Sequence, residues 1–203
     1  MTYKESLEIA FRYADSTESD FDYKEMFYTL ADEAQKLIAI YGRHILRTIE
    51  IVPFPEDGFV TVSAGGNVSN VPCSDFGKEV KIQMPDDFHA LSPQGIVYAD
   101  DYTLPVDYKF VGETVLSIVP DDKYTVNYYA LPKTINENTS DDYVYEVDSD
   151  THNAIPYYIA YRLVGTDDIT LYQALKNQWD LYLSLFNDRA KCVRKQIRNF
   201  YGR

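Results

Sequence analysis

Near the N-terminus, apolar residues recur every three or four positions, which is the spacing of amphipathic α-helices. Thr2 and Glu5 form a capping box, in which each side chain accepts a hydrogen bond from the other's backbone N–H, and this predicts the start of a short first helix. An acidic stretch over residues 15–22 ends that helix, and the helical spacing then resumes and continues to about Ile49. The pattern therefore predicts two N-terminal helices.

The end of the chain shows the same helical spacing. One helix is predicted to begin near Asn153, to hold Pro156 in its first turn, where proline is tolerated, and to end at Gly165. A second helix is predicted to open at Asp167 or Asp168, because carboxylates suit the positive end of a helix dipole. Its apolar stripe consists of Tyr172, Leu175, Trp179, Tyr182, Phe186, Ala190, Val193 and Ile197. This spacing is typical of core or interhelical packing, so two C-terminal helices are predicted.

Between these helical regions the pattern changes to short β-like runs bounded by proline, glycine and aspartate. The predicted strands lie near residues 49–51, 59–62, 80–84, 96–98, 108–111, 114–119 and 124–130. Gly112 and Glu113 join the run at residues 108–111 to the run at 114–119, and residues 121–123 (Asp121, Asp122 and Lys123) join the latter to the run at 124–130. Both stretches are predicted to be hairpin turns. We expect an antiparallel meander of five to seven strands, folded as a sandwich or a small barrel.

The fold class predicted from these patterns is α+β. A helical bundle of two N-terminal and two C-terminal helices is expected to occupy residues 1–49 and 151–203, with an antiparallel β-sandwich or barrel inserted at residues 50–150. The inserted module is expected to include a polar exit connector over residues 132–150 and a loop or mobile hairpin tip over residues 63–77.

The charge of the chain is strongly uneven. The net charge is −13, but residues 189–203 contain six basic residues and no acid, so the first 188 residues carry a net charge of −19. Such an acidic body argues against ordinary nucleic-acid binding, which gains affinity when Lys and Arg release counterions from phosphates. The sequence therefore predicts an acidic body with a basic, amphipathic tail.

Candidate catalytic chemistry is sparse. The cysteines, Cys73 and Cys192, match no metal or redox spacing, and the three histidines are scattered. Pairs of adjacent aspartates follow apolar runs and are interpreted as surface turn residues. No run approaches the roughly 18 apolar residues that span a bilayer. We therefore expect a protein that is made in the cytoplasm, is not an enzyme, and has no catalytic residue, cofactor, metal site or membrane association.

Three segments carry a resemblance to a known family. They read VKIQMPDDFHALS over residues 80–92, YTVNYYALPKTI over residues 124–135, and DTHNAIPYYIAYRLVGTDDITLYQALKNQWDLYLSLFND over residues 150–188. Together with the order of helices, β-insert and helical hairpin, they resemble the head-to-tail adaptor, or connector, subunits of tailed bacteriophages.

This resemblance implies a structural virion protein of the neck or tail region. Such subunits form a ring with copies of themselves, commonly twelve, between the portal protein and a tail or nozzle protein, and genomic DNA passes through the ring without specific binding. Their C-terminal segment docks on the portal and their β-module faces the tail. The residues expected to bind the portal are Arg189, Lys191, Arg194, Lys195, Arg198, Phe200, Tyr201 and Arg203. The expected tail-facing β-tip consists of Asp121, Asp122 and Lys123.

Two alternatives stay open at this point. A tail-completion, neck or baseplate subunit has the same body plan, and fold alone does not decide between these places in the virion. A small cytosolic enzyme or a carbohydrate-binding module that uses the β-insert is the alternative from another class, and it requires a pocket with converging polar groups.

Overall fold

The computed structural model describes residues 1–21, 24–42, 45–101 and 106–200, with side chains described as far as Phe186. Within these residues the chain forms four α-helices and two antiparallel β-sheets, which confirms the predicted α+β class. It divides into two compact units: a helical unit made of Met1–Ile45 and Leu131–Arg203, and a β unit made of Leu46–Ala130. No helix in the described ranges is both long and apolar enough to cross a membrane.

The helical unit is built from two pairs of helices. They are α1 (Tyr3–Tyr13), α2 (Glu25–Tyr41), α3 (Ile155–Val164) and α4 (Ile169–Phe200). The capping box is present, because the N–H of Thr2 donates to the Glu5 carboxylate (2.8 Å) and the N–H of Glu5 donates to the Thr2 hydroxyl (3.2 Å). Gly165 ends α3 with a φ of +55°, a conformation that favours glycine, and Asp168 accepts hydrogen bonds from the first N–H groups of α4. These helix ends are therefore confirmed.

Helix α3 lies at the centre of the helical unit and contacts α1, α2 and α4. Its residues Ile155, Ile159 and Ala160 are fully buried. The core around it includes Ala10, Leu30, Ala34, Ile38, Leu175, Trp179 and Phe186. Trp179 packs edge to face against Tyr158 at 4.9 Å, so its predicted role in interhelical packing is confirmed.

The second predicted helix is eight residues too long. Helix α2 ends at Tyr41, and strand β1 (Ile45–Phe54) begins three residues after Gly42, the C-terminal cap. Ile49 and Ile51 of β1 are buried and belong to a strand that pairs with its neighbour, β2. Ile45 and Ile49 also fit a helical spacing, and strand pairing decides between the two periods.

The β unit contains two open sheets rather than a closed barrel. After β1, its strands are β2 (Phe59–Ala64), β3 (Asn67–Pro72), β4 (Val80–Gln83), β5 (Phe88–Tyr98), β6 (Tyr108–Phe110), β7 (Val115–Ile118) and β8 (Tyr124–Ala130). The five-stranded sheet has the order β3-β2-β1-β8-β5, and the three-stranded sheet has the order β4-β7-β6. Phe88 of β5 stacks on Phe110 of β6 at 5.7 Å, which joins the two sheets through their side chains.

Two predictions for the β unit need correction. The segment predicted as a loop or mobile hairpin tip contains strand β3, which pairs with β2 across a tight turn at Gly65 and Gly66. The stretch from Asp121 to Lys123 is not a hairpin turn, because β7 and β8 belong to different sheets. The predicted hairpin at Gly112, by contrast, does join the paired strands β6 and β7.

The polar segment over residues 131–148, hereafter the connector, belongs to the helical unit rather than to the β unit. Its residues Ile135, Tyr145 and Val147 lie in the helical core. The N–H of Tyr3 donates to the Tyr143 carbonyl (2.8 Å), which attaches the connector to α1. Buried residues and a backbone hydrogen bond therefore hold this segment against the helices, although its polar composition predicted an exit connector that belonged to the β-module.

Candidate interaction surfaces

Helix α4 carries most of the predicted portal-binding segment. The helix contains 32 residues and includes Arg189, Lys191, Arg194, Lys195, Arg198 and Phe200. The side chains of these residues, as well as Tyr201 and Arg203, lie outside the part of the chain that the structure describes. Phe186 is the last described residue of the helical core, and α4 continues for 14 residues beyond it. The basic segment therefore follows the core-forming part of the same helix.

The predicted β-tip forms the connection between the two sheets of the β unit. Asp121, Asp122 and Lys123 are exposed, while the adjacent Tyr124 is buried. The Tyr124 hydroxyl donates to the Asp121 carboxylate and to the Val119 carbonyl (2.9 Å), which anchors the connection to the sheet. The three residues are accessible to a partner, and their role in facing a tail protein stays a prediction.

A second apolar stripe on α4 was not predicted. Leu181 and Leu185 lie one helical turn apart and are 52% and 51% exposed, whereas Trp179 and Phe186 on the core-facing side are buried. The sequence contains the signal, because the two leucines have the spacing of neighbours on one helix face. Apolar residues surround this part of α4 on most sides, so the sequence pattern alone did not separate the exposed pair from the core.

A polar cluster links α2 to α3 beside the tryptophan. The Tyr158 hydroxyl donates to the Glu33 carboxylate (2.8 Å), and the Arg162 guanidinium donates to Glu33 (3.1 Å) and to the Tyr158 hydroxyl (2.8 Å). Burial raises the pKa of Tyr158, and the hydrogen bond to Glu33 raises it further. The tyrosine therefore stays protonated and acts as a structural donor.

A surface cavity of about 390 Å³ lies at the turn between α3 and α4. Tyr161 and Tyr172 form an edge-to-face pair in its wall, and Ile169 at its margin is 64% exposed. Arg162 also lines the cavity, but its guanidinium is engaged with Glu33. The walls of the cavity therefore include aromatic and exposed apolar side chains.

A second cavity, of about 340 Å³, lies between α2 and the connector. It is lined by Tyr28 and Ile135 and by the carboxylates of Glu25 and Glu137. The amide side chain of Asn136 is occupied in the connector itself, since it accepts a hydrogen bond from the N–H of Asn138 (2.9 Å). The cavity is therefore acidic, in keeping with the charge of the body.

Asp87 lies in a turn, as predicted for this pair of adjacent aspartates, and its carboxylate forms an ion pair within the β unit. The Arg47 guanidinium binds the Asp87 carboxylate, which also accepts a hydrogen bond from the Tyr128 hydroxyl (3.1 Å). Burial raises the pKa of Tyr128 to about 12, with a further contribution from Asp87. The arrangement stabilises the sheet between β1, β8 and the start of β5.

The residues with catalytic or metal-binding potential are dispersed. In the described ranges, no three His, Cys, Asp or Glu side chains are grouped closely enough to hold a metal ion. Cys73 is buried, and His152 is buried with its Nε2 atom 2.9 Å from the Val147 carbonyl oxygen. The side chain of Cys192 and residue His44 lie outside the described part of the chain.

The chain matches no protein-family model, and a search of curated proteins found no matching sequence.

Proposed function

We propose that this chain is a structural virion protein: a head-to-tail adaptor that forms a ring with copies of itself between the portal and the tail of a bacteriophage. The proposal combines the resemblance described above with the arrangement of surfaces on the helical unit. In this role the chain acts by binding its neighbours in an assembly and catalyses no reaction.

The observation that carries the proposal is the continuity of α4. Up to Phe186 the helix is part of the core, and from Arg189 onward the same helix carries basic residues without a single acid. A helix that begins in a folded unit presents its far end in a defined direction, which reduces the entropy lost when that end binds. The basic residues then favour an acidic portal surface, and complementary charges accelerate and orient such an encounter.

The exposed leucines of α4 support side-by-side packing in a ring. Leu181 and Leu185 place an apolar stripe on the outside of the helical unit, and large exposed apolar residues that lie next to one another are typical of interfaces. In the proposed ring this stripe contacts the helical unit of the neighbouring copy.

The charge of the body fits the passage of DNA. The first 188 residues carry a net charge of −19, and a channel wall that repels phosphate lets DNA move without specific binding. The β unit, with its exposed Asp121 to Lys123 connection, faces the tail or nozzle protein in this arrangement.

The proposal is tested by mixing the purified chain with the portal protein encoded in the same phage genome. Mass photometry is expected to show a monomer for the chain alone and a ring, commonly of twelve copies, bound to each portal. Removal of residues 190–203 is expected to abolish ring formation. Unchanged docking of the truncated chain, or a pre-formed ring without a portal, contradicts the proposal.

Charge and apolar contact are separated with a matched pair of variants. In the test variant, glutamine replaces Arg189, Lys191, Arg194, Lys195 and Arg198. In the control, glutamine replaces the exposed residues Lys4, Lys24, Lys78, Lys109 and Lys133, which form surface ion pairs of little stabilising value. Both variants change the net charge by five, and only the first is expected to lose portal binding. Equal losses in the two variants show that net charge alone, and not this segment, determines docking.

If the chain binds a tail-tube, neck or baseplate protein of the same phage and ignores the portal, the alternative place in the virion replaces the adaptor role. Gene order next to a portal or capsid gene provides an independent check.

A further inference from the structure

Strand β3 is a free edge of the five-stranded sheet. Its first four residues and Pro72 are exposed, and Val68 is 67% exposed. In the described part of the chain, β3 pairs with β2 and with no other strand. One side of the β3 backbone is therefore open to solvent.

The pairing of β2 with β3 determines which backbone groups face outward. Gly65 and Gly66 both have positive φ, as in the two-residue hairpin turns whose flanking residues exchange hydrogen bonds. The pairs that exchange backbone hydrogen bonds are therefore Ala64 with Asn67, Val62 with Ser69, and Val60 with Val71. Gly58 and Cys73 are the next pair in this series, and the N–H of Cys73 does donate to the Gly58 carbonyl (2.9 Å).

It follows that Val68 and Asn70 direct both their N–H and C=O groups away from β2. Pro72 directs a carbonyl outward, and its missing N–H falls on the side where β2 needs no donor. The open edge thus presents two donors and three acceptors in a regular row, which is enough to pair with an extended segment of about five residues.

The two edges of this sheet differ in their protection. Strand β5, at the opposite edge, contains Pro93 in its interior and irregular pairing between Leu91 and Ile96, and bulges and prolines are common devices that prevent pairing with other chains. The proline of β3, Pro72, is the last residue of its strand and leaves Val68 and Asn70 regularly paired. Residues 58–74, which include β3, contain no charged side chain, although a quarter of the chain is charged. Proteins often place lysine on an exposed edge strand to prevent such pairing, whereas β3 is uncharged and pairs with β2 in a regular register.

Acidic side chains lie at one end of this edge. Glu56 and Asp57 are exposed in the turn between β1 and β2, which lies at the same end of the sheet as Pro72, on the β2 side of β3. In the part of the chain that the structure describes, neither carboxylate forms an ion pair. A segment that pairs with β3 therefore has one end at the same end of the sheet as these two negative charges.

We infer that β3 binds an extended, cationic-ended segment of a partner protein, which adds a strand to the sheet. The backbone of that segment pairs with Val68 and Asn70, its side chains beside β3 are small or β-branched, and it carries a Lys or Arg at the end of the sheet that holds Glu56 and Asp57. A second copy of this chain is a poorer occupant, because it offers no cation within residues 58–74 and its net charge of −13 opposes association. The inference does not depend on the proposed place of the chain in a virion.

The probes are two acetylated peptides, TVTVTKK and KKTVTVT, because the strand can enter in either direction. Their matched controls are TVTVTEE and EETVTVT. Titration of the isotope-labelled full chain, followed by NMR, is expected to shift the amide signals of Val68 and Asn70 in a saturable manner with one of the lysine peptides. The corresponding glutamate peptide is expected to bind roughly tenfold more weakly, because its charges are repelled by Glu56 and Asp57 at that end of the sheet and by the net charge of −13 of the chain.

Two variants of the chain test whether the edge itself is the site. Asn70→Pro removes an outward backbone donor without removing a backbone bond to β2 and is expected to abolish the shifts. Asn70→Thr is expected to retain them and is the matched control, because both variants lose the side-chain bond that Asn70 accepts from the Thr61 hydroxyl (3.0 Å). If Asn70→Pro perturbs signals beyond β2 and β3, Val68→Lys serves instead, since it keeps the backbone and places a cation on the edge.

The inference is overturned if no peptide shifts these two signals, or if the lysine and glutamate peptides bind equally. It is also overturned if both signals shift with protein concentration alone, which identifies a second copy as the occupant.

Discussion

Gly42 at the end of α2 lies directly against Phe186 of α4. A Cβ atom built on Gly42 would lie 2.3 Å from the Cβ of Phe186 and 3.0 Å from its backbone carbonyl carbon. The φ of Gly42 is −138°, which other residues adopt, so close approach rather than backbone freedom requires glycine at this position. The contact fixes where α4 crosses the end of α2.

Substitution Gly42→Ala is therefore expected to destabilise the chain by about 1–3 kcal/mol, because the obstructing atoms include backbone and cannot rotate away. Chemical denaturation measures the loss. The control is Gly77→Ala, which lies in an exposed loop and has no φ in the glycine region. That substitution is expected to change stability by less than about 0.5 kcal/mol. A stability loss that is equal in the two variants rules out the close contact as the cause.

The connector depends on a buried amide. The Gln35 side chain is fully buried and donates from Nε2 to the Lys133 carbonyl at 2.7 Å. Gln35→Met keeps the volume but leaves that carbonyl without its donor, so we expect a loss of about 1–3 kcal/mol in the free energy of unfolding. Lys36→Met on the same helix removes a partly exposed ion pair with Asp32 and is expected to cost less than about 1 kcal/mol. Denaturation curves that rank these variants in the opposite order contradict the role assigned to Gln35.

Stability is expected to fall at alkaline pH, in part because of Tyr128. Burial, followed by the Asp87 carboxylate, raises the pKa of Tyr128 from 10 to about 12. Between these values the unfolded chain releases a proton that the folded chain retains. The contribution of Tyr128 to stability is therefore fully present below pH 10 and is lost as the pH rises through 12. Tyr128→Phe is expected to reduce the slope of stability against pH in this window by about one proton. A slope that is the same in both proteins excludes Tyr128, and NMR titration of its ring provides the direct measurement.

The turn between β2 and β3 has separate requirements at its two positions. Both glycines have positive φ, +56° at Gly65 and +88° at Gly66. Asn followed by Gly suits such a turn, so Gly65→Asn is expected to change stability by less than about 1 kcal/mol. Gly66→Ala is expected to destabilise by about 1–2 kcal/mol, since a Cβ at this φ is strained although the surrounding space is open. Thermal unfolding of both variants provides the comparison, and equal stability would be inconsistent with the turn conformation.

Local capping signals were the part of the fold best predicted from the sequence. Thr2 with Glu5, Pro156 with Gly165, and Asp168 each act within one or two turns of the backbone, so no distant contact is needed to recognise them. The periodic stripe of α4 was likewise sufficient to place Trp179 in the core.

The failures share a different physical cause, which is pairing or packing between distant residues. Ile45 and Ile49 fit both a helix and a strand, and both belong to β1, which pairs with β2 from Ile49 onward. The Asn- and Ser-rich β3 has little intrinsic strand preference, and it forms because Gly65 and Gly66 fold it back on β2. Tyr145 is buried in the helical core, where its hydroxyl lies 2.6 Å from that of Ser6, 139 residues away.

The candidate surfaces were predicted in part. The basic segment follows from residue types alone, because charge is visible in the sequence, and its binding partner stays a prediction. The exposure of Leu181 and Leu185 and the open edge of β3 depend on what other elements cover, so only the folded arrangement reveals them.

The division of the helical unit into two chain segments has a consequence for biosynthesis. The 85 residues of the β unit leave the ribosome after α2 and before α3, so the N-terminal helices wait for their central partner during translation. The strands that begin and end the β unit, β1 and β8, are neighbours in an antiparallel sheet, so an early-folding β unit holds its two chain ends close together. This proximity lowers the entropy lost when the N-terminal helices pack against α3 and α4. A β unit that folds early therefore favours the folding of the helical unit.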